Sequence, residues 1–123
     1  MLKGLVSQSR SRHHDSDENH NHPLWEINFH LAVTDIEGTQ SVWIESVPGL
    51  KDYKPLSMSY GEYYIFDGNR CTHGNKVNIT GKTRVSFDFR VLPYSRYDVS
   101  KAKQSSTKGR KFIIGDYYEL YKK

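Results

Sequence analysis

Two stretches, far apart in the chain, hold the side chains whose types and spacing could do chemistry. The first is His13-His14-Asp15. In an extended segment, residues i and i+2 project to the same side. His13 and Asp15 can therefore bring an imidazole and a carboxylate to one point. One further imidazole from a distant strand would complete a two-histidine, one-carboxylate face. Such a face leaves three positions open on iron(II). The tripeptide alone is a weak signal, because short motifs recur by chance.

The second stretch runs from His73-Gly74-Asn75 through a turn to Arg84-Val85-Ser86. It reads as a strand end, a turn and a returning strand that carries Arg84 and Ser86 on one face. A guanidinium on the inner side of a barrel needs an anionic partner, since burying its charge alone is expensive. A ligand carboxylate fits best, because Arg offers a fork that matches it. Ser86 can add a hydroxyl donor to the same group.

These residues need strands to position them, and the pattern supplies strands. Segment 26–34 alternates strictly, with Ile27, Phe29, Leu31 and Val33 on one face and Glu26, Asn28 and His30 on the other. That period is the strand signal. Segments 40–46 and 62–66 read as two further strands. Segment 83–92 sets Val85, Phe87, Phe89 and Val91 against Arg84, Ser86, Asp88 and Arg90. Turns fall at 35–39, at Pro48-Gly49, at Asp67-Gly68-Asn69 and at 78–82. Residues 15–23, almost free of apolar side chains and closed by Pro23, must be a loop. Short strands, frequent turns and no convincing helix of ten residues indicate an all-β barrel or sandwich.

The combination of His-x-Asp, a distant His, and Arg with Ser two residues on resembles the iron(II)/2-oxoglutarate-dependent oxygenases. The stretch from Gly61-Glu62 to Asn78 is similar to their phytanoyl-CoA-hydroxylase-like branch. Glu26-Ile27-Asn28, 38–46 and 84–91 resemble streptomycin-biosynthesis-type oxygenase-like proteins. The resemblance covers about residues 13–98. It implies a double-stranded β-helix (a jelly roll, cupin-like) with iron(II) held by His13, Asp15 and His73. It further implies 2-oxoglutarate anchored by Arg84 with Ser86, and oxidation of a small-molecule substrate. Alternation allows Asn28, Trp43 and Glu45 to face the interior. Asn28 is assigned to the co-substrate, and Trp43 reads better as core. Such proteins carry N-terminal helices against the main sheet, for which this chain has almost no room. The fold is therefore expected to be truncated at the N-terminus: a fragment, a minimal version, or a protomer that pairs its exposed strand edges with a second copy.

One rival spacing is His20-x-His22-x-x-x-Glu26, that of a cupin metal motif, again with His73 as the last ligand. It describes a metallo-cupin enzyme that does not use 2-oxoglutarate, and it leaves Arg84 and Ser86 without a role. A jelly-roll binding module without catalysis is the other alternative.

Composition bounds the rest. A chain of 123 residues makes one domain, with its core at about 5–97, a flexible connection at 98–109 and a packed tail at 110–123. No run of about 18 apolar residues could span a membrane, and Met1–Ser7 lacks the marks of a signal peptide. The single Cys71 excludes an internal disulfide framework, and a cytoplasmic location is expected. Much of the net charge of +4 lies in the last quarter. It reads as a solvated end rather than a nucleic-acid surface.

Overall fold

The computed structural model describes residues 12–17, 20–104 and 109–122. Among these residues there are six strands: β1 (Ile27–Ala32), β2 (Val42–Ile44), β3 (Lys54–Pro55), β4 (Tyr63–Phe66), β5 (His73–Asn75) and β6 (Ser86–Val91). They form two antiparallel sheets, one ordered β4-β1-β6 and the other β3-β2-β5. The only helical pieces among the described residues are three short 3-10 turns. The fold is all-β. Along the chain, β1 lies in the first sheet, β2 and β3 in the second, β4 in the first, β5 in the second and β6 in the first.

Each expected strand exists, but shorter than its alternation. Segment 40–46 contracts to Val42–Ile44, because Gly38–Gln40 forms a 3-10 turn before it. Segment 83–92 contracts to Ser86–Val91, so Arg84 precedes the strand instead of standing in it. The tail 109–122 forms no regular strand or helix. It is held by isolated bridges and by Phe112, 2 % exposed. The extended reading of 5–13 lies outside the described residues except at its end, where His13 bridges His73. Likewise, residues 105–108 of the expected connection are not described, while Val99–Lys101 is a 3-10 turn.

The faces of the first sheet run against the usual hydrophobic-inside rule. On β1, Asn28, His30 and Ala32 are buried, whereas Ile27 is exposed and Phe29 and Leu31 are only half-buried. On β6, Phe87 and Phe89 are 60 % and 47 % exposed, with Phe89 stacked on Phe29 across the strands. Asp88 and Arg90 turn the other way, to the same side as Asn28 and His30. The apolar packing between the sheets is small: Val42, Ile44, Leu56 and Cys71 with Phe66, and a second cluster of Ala32, Ile36 and Met58. A polar interior is costly to bury, so a fold that keeps one has a use for it.

Candidate metal centre

His13 and His73 face each other as an antiparallel pair, with each backbone N–H donating to the other's carbonyl at 2.9 and 2.8 Å. Directly opposed residues share a face, which puts both imidazoles on one side. After His14 the chain turns, and the Asp15 N–H donates to the Gly68 carbonyl at 2.7 Å. This bond swings the carboxylate under both rings. Asp15 Oδ1 lies 3.5 Å from His13 Nε2 and 3.4 Å from His73 Nε2. One ligand atom from each of the three residues lies within 4.8 Å of the others. Two ligands bound at right angles at about 2.1 Å stand about 3 Å apart, so a small inward shift would seat a metal ion.

The surroundings fix tautomer and charge. His73 Nδ1 donates to the Cys71 carbonyl at 3.0 Å, which leaves the Nε2 lone pair for a ligand. Asp15 is 2 % exposed. Burial alone would raise its pKa, but the His13 and His73 rings beside it and the Arg90 charge outweigh it and hold the carboxyl far below the usual range. The group is anionic at neutral pH. Its Oδ2 accepts from Asn28 Nδ2 at 2.7 Å and from Arg90 Nη2 at 2.8 Å.

Of the co-substrate residues expected from sequence, Asn28 donates from Nδ2 to Asp15, while its Oδ1 is buried without a hydrogen-bond partner among the described residues. Arg84 reaches the second sheet, where its Nη1 donates to the Gln40 carbonyl at 2.7 Å and to Asn75 Oδ1 at 2.9 Å. Ser86 opens β6, paired with Ala32. Because Asn75 stands two residues from His73 on β5, both occupy one face of that strand. Asp88 and Arg90 share a face of β6 but take different partners: Asp88 binds the His30 ring while Arg90 goes to Asp15. Glu45 does not line the centre. It caps the backbone N–H groups of Thr72 and Lys51, and such backbone bonds hold its pKa at about 2. Trp43 lies under the Lys76 ammonium, 3.4 Å from the ring centroid.

The rival histidines are engaged elsewhere. His20 stacks on His13 and bonds to Asp17. His22 Nδ1 bonds to Glu26 Oε2 at 2.7 Å, and Glu26 also accepts from the Tyr118 hydroxyl. His14 bonds to the Asn69 carbonyl at 3.1 Å.

Sequence reasoning passed over three contributors. Asn69 is fully buried, and its side chain donates to the Glu26 carbonyl at 2.7 Å. Its own carbonyl receives His14 and Ser16, so it pins the ligand loop. A Cβ on Gly68 would sit 2.8 Å from the Phe66 ring and closer still to the Asn28 amide. Arg90 closes the set. The dipeptide Gly68-Asn69 was legible only as a turn, since nothing local shows what a turn packs against.

Fold and site together define an all-β protein with a two-histidine, one-carboxylate cluster where its two sheets meet. The chain is 38% identical over 109 residues to the streptomycin biosynthesis protein StrG of Streptomyces griseus. The alignment covers 89% of the chain and 50% of that protein, so the chain spans about half the length of this curated relative. No family model matches the chain, and no solved structure matches it.

Proposed function

We propose that this chain forms the core of an iron(II)- and 2-oxoglutarate-dependent oxygenase of the jelly-roll type, acting on a small molecule in a biosynthetic pathway. The observation that carries the proposal is the placement of Arg84 relative to the histidine pair. Its partner Asn75 stands on the face of β5 that bears His73, two residues away, which is about 7 Å. A five-carbon keto diacid spans roughly 5 Å between its end carbons, so one end can meet the metal while the other meets the guanidinium.

The interior suits such a ligand. His30 Nε2, Asn28 Oδ1 and both polar atoms of the Gln40 amide are buried without a hydrogen-bond partner, and buried polar atoms ordinarily have one. A bound acid with its waters would supply partners. Passage of the chain back and forth between two sheets, apart from the β2–β3 pair, with an isolated bridge from His13 to β5 beside the second sheet, supports the jelly-roll reading. The name of the relative supports a biosynthetic role. A groove of about 690 Å³ beside β6, bordered by Asp88, Arg90, Tyr97, Tyr117 and Tyr118, has the size of a small-molecule site.

In this reading His13 Nε2, Asp15 Oδ1 and His73 Nε2 hold the metal. Iron(II) and 2-oxoglutarate, when bound, supply an oxidative decarboxylation coupled to oxidation of the second substrate. The protein supplies positions: Cys71 orients His73, Asn28 and Arg90 orient Asp15, and the Gln40 carbonyl with Asn75 aims Arg84. No helix among the described residues is long and apolar enough to cross a membrane.

Substitution tests the ligand set. His13→Ala, Asp15→Ala and His73→Ala should each abolish stoichiometric iron(II) binding in anaerobic equilibrium dialysis, whereas His20→Ala and His22→Ala should retain it. Loss of iron in the His22 variant, with retention in the Asp15 variant, would transfer the assignment to the metallo-cupin motif.

A further inference from the structure

The two oxygens of Asp15 live in different environments. Oδ1 faces His13 and His73, at 3.5 and 3.4 Å. Oδ2 accepts one hydrogen bond from Asn28 Nδ2 at 2.7 Å and another from Arg90 Nη2 at 2.8 Å. Those donors occupy both lone pairs of that oxygen. One of them is a charge-assisted bond, among the stronger kinds.

The donors are themselves fixed. Asn28 and Arg90 stand opposite each other in the β1–β6 register, so both rise from the same face of one sheet towards a ligand carried by another part of the chain. Arg90 is braced from behind by Glu26, whose Oε2 lies 3.6 Å from Arg90 Nε. Glu26 is held in turn by His22 and by the Tyr118 hydroxyl. The ion pair with Glu26 draws the guanidinium back on the side away from Asp15. For Oδ2 to reach a metal, a strong bond within a braced network would have to break.

We infer that Arg90 is a positioning residue that restricts Asp15 to ligation through Oδ1 alone. This rests on the metal-centre reading above. Its consequence is a count of open positions. One carboxylate oxygen and two imidazoles leave three sites of an octahedron free, whereas a carboxylate bound through both oxygens would leave two. A keto acid chelating through two atoms then still leaves one position. Arg90 thus protects the vacancy on which the proposed chemistry depends, without touching substrate.

Cobalt(II) serves as the probe, titrated anaerobically and followed by its visible d–d absorption, which reports coordination number apart from any turnover. In wild type it should bind at one equivalent. Arg90→Gln should weaken binding by about ten- to a hundredfold, the usual cost of losing a partner of a metal ligand. Its bands should also shift, as Oδ2 displaces a water from the coordination sphere. Arg90→Lys, which keeps the charge but not the fork, should restore the wild-type spectrum in part. A folded Arg90→Gln protein with wild-type affinity and spectrum would overturn the inference. Should the glutamine variant fail to fold, a crystal structure of cobalt-loaded wild type decides. Asp15 bound through one oxygen, with Oδ2 still on Arg90, supports the inference; both oxygens on the metal overturn it. Wild type that binds no cobalt would refute the metal centre itself, and is recognised because no variant is needed to see it.

Discussion

At the scale of single residues, the chemistry-bearing side chains were legible because their types are unusual for their place. Two imidazoles and a carboxylate drew attention by spacing, and Arg84 by its position on an alternating segment. What the spacing could not show is what each residue touches. Asn28 was assigned to the co-substrate, and its amide also meets Asp15, a contact that its place on β1 alone does not reveal. Arg90 shares a face with Asp88 two residues away, yet its ion pair is with Asp15, a carboxylate from the loop. Arg84 has a sharper expectation. Removing a charge-assisted contact within a shielded site costs about 3 kcal/mol, or about two decades of affinity. Arg84→Ala should therefore raise the dissociation constant for 2-oxoglutarate about a hundredfold while iron(II) binding stays within about threefold. Calorimetric titration of each ligand checks this, and equal losses for both ligands would mean that Arg84 supports the fold instead of the acid.

At the scale of elements, period-two alternation located β1 and β6 to within a few residues but overran their ends. Side-chain alternation continues through any extended chain, whereas a strand stops where backbone pairing stops. Arg84 and Val85 are extended in pattern, yet Arg84 lies outside the ladder. The burial of the polar face could not be read from β1 or β6 alone, since alternation shows two faces and not which one is inward. The turn at Gly68 is the element on which the centre depends most. It receives the Asp15 N–H and leaves no room for a Cβ between Phe66 and Asn28. Gly68→Ala must push the Asn28 amide off Asp15, and overpacking of this kind costs about 1–3 kcal/mol. The expected outcome is a lower Tm together with iron(II) affinity reduced by about tenfold. A variant with a lower Tm but unchanged iron affinity would show that the turn supports the fold without shaping the centre.

At the scale of the molecule, two sheets enclose polar side chains while apolar ones such as Phe87 and Phe89 face outward. The hydrophobic effect alone would have turned β1 and β6 the other way. The inverted arrangement fits a molecule whose interior holds a charged ligand, and it gives the buried atoms of His30 and Gln40 a purpose. The ligand residues come from the loop before β1 and from β5, so a bound metal would tie distant parts of the chain together. That iron and keto acid share this one site is the central claim, and anaerobic titration of the iron(II)-loaded protein with 2-oxoglutarate tests it most directly. The account predicts a visible metal-to-ligand charge-transfer band that saturates at one equivalent per chain and does not form in Asp15→Ala. Iron and 2-oxoglutarate each binding without producing that band, or a band that survives intact in Asp15→Ala, would contradict it.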